Sequence, residues 1–445
     1  MLKMFNQKNI IYLTSFLILV ILIAIPFHAF LTVYFSSLAG HYTLLRLWKE
    51  FLLVPILLVG SYYAFFDQKI RKVIFKEKVT YLILAFLLVQ VIWGVVSYYH
   101  HDVSKKALFY GLLLNCRYFI FFMLSFVIAL KNKTLIAKIP KIVLYPALLV
   151  VLFGLLQIFV LPHNFLSHFG YGVKTIPAYE TVNANSHYVR IISTLRGSNP
   201  LGAYLILPIT LLGLLILKNL KKYKYYLFLL ACLIVLIFSF SRSALLGAII
   251  ALIVVVFFSI KNKVVRRNLS ILGLGFIIML AILVFSFRNN PRVQNVLFHT
   301  QTHSASKISS DQAHLTALDS SFKQVLNNPL GSGPGTSGPA SVYNNHPARI
   351  PENYYLQIAE ETGIIGIVLY LAIIILVALK FWQNRDSELS LFLLASLIGI
   401  SVVNLFLFGW ADDTLSYLWW GIAGLTFAAP SFKEAFLPNS PNKSK

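Results

Sequence analysis

The chain has 445 residues, of which 58% are hydrophobic and 12% charged, with a mean hydropathy of +0.76. No soluble core can bury that much apolar side chain, so the composition excludes a soluble enzyme and implies a polytopic membrane protein. The formal net charge of +23 comes without any base-stacking motif; it reads as a topology signal and an attraction to anionic membrane lipids, with no nucleic-acid partner.

Apolar runs of roughly 20 residues, each long enough to cross a bilayer, are predicted at 10–35, 44–66, 79–98, 107–130, 142–161, 200–217, 225–240, 243–260, 269–287, 361–381, 389–409 and 415–430. The expected fold class is all-α. Residues 1–445 form a single integral membrane domain, a polytopic helical bundle of about 12 transmembrane helices, with one large extracytoplasmic loop containing short helices. The first run is too long for a signal-peptide core and no small-residue cleavage site follows it, so it reads as a retained helix.

Basic residues in short loops set the orientation. Lys69, Arg71, Lys72, Lys76 and Lys78 follow the second run, and Lys131, Lys133, Lys138 and Lys141 the fourth. Lys218, Lys221, Lys222 and Lys224 follow the sixth, and Lys261, Lys263, Arg266 and Arg267 the eighth. Each cluster comes after an even-numbered span, so these loops and both termini are expected in the cytoplasm. The intervals 162–199 and 288–360 are then external.

Several polar residues interrupt the apolar pattern. Arg46, Lys49 and Glu50 stand at the outer end of the second span, either snorkelling and pairing or lining an outward cavity. Arg117 lies midway along the fourth span, where a guanidinium must face protein or water, tied to a buried carboxylate or reaching an anionic ligand. The two cysteines, Cys116 and Cys232, sit in apolar runs and imply neither a disulfide framework nor a metal site.

The interval 162–199 ends in Arg196 and Ser198-Asn199-Pro200, with Asn199 read as the helix cap and Pro200 in the first turn. A helix N-terminus beside an arginine suits a phosphate. The short connection Phe240-Ser241-Arg242-Ser243 brings Arg242 to the same outer face, as Gly409 to Asp413 brings Asp412 and Asp413. In the long external interval, Leu315, Leu318, Phe322 and Val325 predict an amphipathic helix over 309–328. Gly331-Ser332-Gly333-Pro334-Gly335 follows, through which no helix continues. The segment from His346 to Gln357 then runs through Gly363 into an apolar helix. Cytoplasmic loops use mostly lysine, whereas Arg190, Arg196, Arg242, Arg288, Arg292 and Arg349 are external. Guanidinium is the better fork for phosphate oxygens, so this set suggests an extracytoplasmic phosphate ligand.

Four stretches give the chain a family resemblance. They are Arg190 to Gly202; Ser239-Phe240-Ser241-Arg242 to Gly247; Asn328-Pro329-Leu330-Gly331 to Gly335; and Glu352-Asn353-Tyr354-Tyr355-Leu356-Gln357 to Gly366. In this order, within 200–381 and just ahead of it, they resemble the O-antigen ligase and O-antigen polymerase family of bacterial membrane glycosyltransferases. The resemblance implies an undecaprenyl-pyrophosphate-linked glycan donor, a glycan or lipid acceptor, and an active site at the outer face of the bacterial plasma membrane. It implies no nucleotide sugar, no metal and no other cofactor, and it covers both polymerisation of repeat units and ligation to an acceptor. In such enzymes external arginines hold the pyrophosphate, a role that falls here to Arg190, Arg196, Arg242 and Arg288. A histidine just before the Asn-x-Tyr-Leu-Gln-like run is the usual candidate base. Here that position holds Glu352 and the nearest histidine is His346, so Glu352, with His346 second, is the catalytic candidate. The competing class is a polysaccharide flippase or other secondary transporter, which favours repeated halves and mid-membrane charges; the chain has no evident repeat, and its unusual polar residues cluster outside.

The topology gives a direct test. Ser332→Cys should react with a membrane-impermeant thiol reagent from outside the cell and Asn262→Cys from the cytoplasm only; reaction of both from one side would overturn the span assignment.

Overall fold

The structure, a computed structural model, describes residues 7–182, 185–260, 262, 264–268, 285–286, 290 and 310–431. Helix α1 (Gln7–Ala24) passes through a 3-10 turn at Ile25–Phe27 into α2 (His28–Ala39). Pro26, which has no N–H to donate, sits at the start of that turn. There follow α3 (Tyr42–Arg46), α4 (Trp48–Phe66), α5 (Gln68–Ile74), α6 (Lys78–Tyr99), α7 (Lys105–Lys131), α8 (Thr134–Ala137) and α9 (Ile139–Phe159). Beyond a short hairpin come α10 (Ser198–Lys218), α11 (Tyr223–Phe238), α12 (Arg242–Ser259), α13 (Ser310–Asn327), α14 (Tyr354–Gln383), α15 (Glu388–Val403) and α16 (Asp413–Phe427). Among the described residues, eight helices are long and apolar enough to cross a membrane, with α11 and α15 as shorter apolar helices. The protein is thus a polytopic helical membrane protein. The predicted span 269–287 lies almost wholly outside the described residues, as does the start of the long external interval.

Burial sorts the helices. Every residue of α16 is buried, and α10 is buried almost throughout from Leu201 to Ile216. Around them α4, α6, α9 and α12 turn Leu58, Leu88, Leu149 and Ile253 outward, as lipid-facing helices do, since an acyl chain is as apolar as leucine. Close approach needs small residues. Gly247 of α12 and Gly399 of α15 meet backbone to backbone; a Cβ added to either would lie 2.6 or 2.4 Å from the other's carbonyl oxygen. The two ends of the bundle differ chemically. At one end lysines pair with carboxylates, Lys131 with Asp67 at 2.5 Å, Lys380 with Glu77 at 2.6 Å, and Lys218 with Glu388. At the other end lie the arginines discussed below.

Beneath that second end is a buried charge cluster. Asp413, at the start of α16, is contacted by Lys49 (2.9 Å), His28 (3.1 Å) and Arg117. Glu50 takes a second contact from Lys49 (3.1 Å) and from Arg117 (3.2 Å). Two cations face two carboxylates, so the cluster is close to neutral and the cost of burying each charge is largely offset. Of the two roles open to Arg117 in the sequence, it takes the structural one, and Lys49 and Glu50 pair with each other.

What positions the polar segments at the arginine end is a break in α14. Gly363 has φ +64° and ψ −162° in the middle of that helix, a combination open essentially to glycine alone. The helix therefore cannot use its own hydrogen bonds there, and they go across to the glycine-rich segment instead. Ser332 N donates to Glu360 O (2.8 Å), Gly333 N to Glu361 O (2.7 Å), and Ile364 N to Pro329 O (2.9 Å). The Glu361 carboxylate completes the clasp, accepting from Gly335 N (2.8 Å) and Asn115 Nδ2 (2.6 Å). Asn353, Gln357 and Glu361, which share one helical stripe, are thus turned inward rather than to water.

Gly363→Ala should cost about 1–3 kcal/mol from backbone strain alone, and more because its Cβ would lie 2.4 Å from Pro329 O. The check is the thermal unfolding midpoint in detergent, with Lys131→Leu at a partly exposed pair as a control that should move it little. An unchanged midpoint for Gly363→Ala would refute the clasp.

Candidate active site

The first wall is built from the interval 162–199. Here the structure departs from an all-α chain, since strands β1 (Glu180–Val182) and β2 (Asn185–Arg190) pair antiparallel with Glu180 opposite Arg190. The hairpin delivers Arg190 to the ends of α10 and α11, where its Nε donates to Ser239 O (3.0 Å) and its NH2 to Asn199 Oδ1 (2.7 Å). These contacts use two of five guanidinium donors. Arg242 is the first residue of α12, and the connection from α11 is short because Phe240 adopts a left-handed φ of +50°. Burial lowers the pKa of Arg190 from its ordinary value, Glu180 opposes that, and the neighbouring charge of Arg242 lowers it further.

The second wall comes from α13 and the start of α14. Asn353 caps α14, accepting from Leu356 N (3.0 Å), and its own Nδ2 donates to Leu405 O (2.9 Å). Tyr354 N also bonds across, to Asn404 O (3.0 Å). This lashes the entry of α14 to the exit of α15 and leaves Glu352 outside the helix at φ +53°. A glutamate in that region is strained, and such strain concentrates at functional sites. The Glu352 carboxylate contacts His314 Nδ1, which reaches over from α13. Arg190, Arg242, His314 and Glu352 line one cavity of about 470 Å³, walled by Phe240, Leu246, Leu315, Leu318 and Phe406.

Three of the residues singled out in the sequence therefore meet, namely Arg190, Arg242 and Glu352. The others do not join them. Arg196 lines an adjacent cavity of about 410 Å³ with Glu180, Asn199 and Asp412, and its Nε lies 3.5 Å from Asp412. The N-terminus of α10 already holds an anion: Ser198 N donates to Glu180 Oε2 at 3.3 Å and the Ser198 hydroxyl contacts the same oxygen. The helix begins at Ser198, and Asn199 serves Arg190 rather than capping. His346 is exposed and lines a different cavity. Arg288 lies outside the described residues. Glu352 stands just before the helix cap rather than in the first turn, because Asn353 takes the cap. His314 was not singled out in the sequence. Its signal is its position on the apolar stripe of α13, next to Leu315 and one turn before Leu318, although that stripe is only partly covered, Leu315 being 67% and Phe322 57% exposed.

Chemically, the cavity brings together two guanidiniums, an imidazole with Nδ1 against a carboxylate, and an apolar wall. Among the described residues, no three His, Cys, Asp or Glu side chains gather as a metal site would need. Residues 226–371 match the family model described as O-antigen ligase, which supports an O-antigen ligase-family assignment for the chain. The matched segment contains Arg242, His314 and Glu352, while Arg190 precedes it. No curated protein matches the chain.

Arg190→Lys keeps the charge but cannot bridge Ser239 O and Asn199 while facing the cavity. Glycan transfer by this variant should fall at least tenfold, with the unfolding midpoint within about 1 kcal/mol of wild type; full transfer activity in Arg190→Ala would remove the residue from the site.

Proposed function

We propose that this chain is a glycosyltransferase of the O-antigen ligase kind. In this reading it moves glycan from an undecaprenyl-pyrophosphate carrier to a glycan or lipid acceptor at the outer face of the bacterial plasma membrane. The O-antigen ligase match supports glycosyl transfer in general; the carrier, the face and the residue roles are this reading's own. It takes the bundle as twelve spans with both termini cytoplasmic, as the basic loops imply. The observation that carries it is the meeting of Arg190, Arg242, His314 and Glu352 in one apolar-walled cavity.

The donor's pyrophosphate lies between Arg190 and Arg242, with its prenyl chain along Leu246, Leu315 and Phe406. The acceptor hydroxyl oxygen attacks the anomeric carbon from the side opposite the pyrophosphate, and the configuration inverts. The new bond joins that carbon to the acceptor oxygen, and the bond to the pyrophosphate oxygen breaks with its electron pair. The departing pyrophosphate gains negative charge, which the two guanidiniums stabilise. The hydroxyl proton goes to His314. With Nδ1 against Glu352, the imidazole presents Nε2 as a base, and the carboxylate stabilises the imidazolium that forms. Glu352 then acts through His314 rather than as the proton acceptor itself. Arginine charge alone neutralises the leaving group, and no metal enters.

The test is transfer from an undecaprenyl-pyrophosphate-linked glycan in proteoliposomes. His314→Ala should lower turnover by about 10²–10⁴-fold, the usual contribution of a positioned base, and Glu352→Gln by a smaller factor. Wild-type turnover in His314→Ala would overturn the assignment of the base, and wild-type turnover in Glu352→Gln would remove the orienting role. No transfer by the wild-type protein, with the carriers and acceptors of its own host, would overturn the reading as a whole.

A further inference from the structure

A second cavity, of about 580 Å³, lies across α13 from the arginine site. His314, Leu315 and Leu318 face the first cavity, while Ser320 and Gln324 face the second. At 1.5 Å per residue, Gln324 stands about 15 Å further along the helix than His314. A second element joins the two as well, since the segment that ends at Glu352 in the first cavity carries His346 and Arg349 in the second. The size falls within the roughly 300–1,000 Å³ of small-ligand sites.

Its chemistry differs from that of the first cavity. No leucine or phenylalanine lines it; besides Pro347 and Ala348 the lining is polar, with imidazole, amide, carboxylate and guanidinium groups from His101, Asp102, Gln324, Asn328, His346 and Arg349. At its floor is Glu360, 2% exposed. One carboxylate oxygen, Oε2, accepts from the Ser337 hydroxyl (2.5 Å) and faces Arg349 Nε (3.5 Å). The other, Oε1, is buried with no hydrogen-bond partner among the described residues. A buried acceptor left unpaired is costly, so this oxygen calls for a donor. His101 adds a second sign. It follows the C-cap of α6 with φ +63°, at the position where glycine is the usual, unstrained choice. A smaller cavity of about 270 Å³ shares His101, Asp102 and His346 and extends the trough past Tyr98 and Asn344.

We propose that this trough is a glycan subsite, holding sugar units of the transferred or accepting chain at a distance from the bond being made. It rests on the glycosyl-transfer reading. Sugar hydroxyls are donors and acceptors at once, and they match a lining of amides, imidazoles and carboxylates. A prenyl chain would find only Pro347 and Ala348 as apolar wall here. A pyrophosphate would meet the Glu360 and Asp102 carboxylates, with Arg349 already engaged by Glu360. The unpartnered Oε1 would accept from one sugar hydroxyl, and Gln324, Asn328 and His346 would read its neighbours.

The probe is the oligosaccharide released by mild acid from the host's own lipid-linked glycan, titrated against the full-length protein in nanodiscs. Wild type should bind it. The double variant Gln324→Ala/His346→Ala, of a half-buried and an exposed side chain, should bind at least tenfold more weakly with an unchanged unfolding midpoint. Arg242→Ala should bind as wild type does, because the subsite lies apart from the arginine fork. Equal binding by wild type and the double variant, or no binding by wild type, overturns the subsite, and so does displacement of the oligosaccharide by inorganic pyrophosphate. These outcomes are independent of turnover, so the failure of the transfer reading would show separately, in the proteoliposome assay.

Discussion

The polar segments at the arginine end of the bundle depend on the break in α14. A transmembrane helix normally satisfies its own backbone, and an interruption at that depth survives only where other groups take over the freed donors and acceptors. Here Gly363 frees the carbonyls of Glu360 and Glu361 and the amide of Ile364, and residues 329–335 take all of them. The carboxylate of Glu361 holds the same segment from the side. One break therefore anchors the polar segment directly to a membrane helix. Because α13 runs into that segment at one end and the residues before α14 leave it at the other, both flanks of the 470 Å³ cavity inherit the anchorage.

A second constraint supports the arginine face from below. Asp413, Glu50, Lys49 and Arg117 tie α4, α7 and α16 together with His28 of α2. Such a cluster gives little net stability over an apolar equivalent, but the loss of one member leaves a charge buried and uncompensated. Its charges are spent on one another, whereas Arg190 and Arg242 line a cavity, where burial and the charge of Arg242 lower the pKa of Arg190 and Glu180 opposes them.

Under the proposed function the two cavities divide the tasks of a lipid-linked glycan, because such a donor joins an apolar chain, a concentrated negative charge and a polyhydroxylated polymer, and no single lining suits all three. The first cavity combines leucine and phenylalanine with arginine; the second has amides, imidazoles and carboxylates. Helix α13 serves both because its apolar residues and its polar residues lie on different sides, as its amphipathic pattern requires.

Apolar run length determined the membrane class and the placement of most helices, because a bilayer sets a length that composition alone reveals. Local chemistry marked the amphipathic helix near 309–328 and the interruption by glycines after it. What the sequence could not decide was which of the candidate side chains meet. Arg190 and Arg196 stand six residues apart, yet one faces the 470 Å³ cavity and the other the 410 Å³ cavity. The β-hairpin and Asn199 aim the first, and Asp412 holds the second. The N-terminus of α10 looked free for phosphate until the hairpin carried Glu180 onto it. His314 and Glu352 are far apart in sequence and become a pair only when α13 folds back against the start of α14. Periodicity and propensity act over a few residues, so they place elements. The meeting of side chains from different elements depends on how helices pack and where the backbone breaks, and that was decided by the tertiary structure.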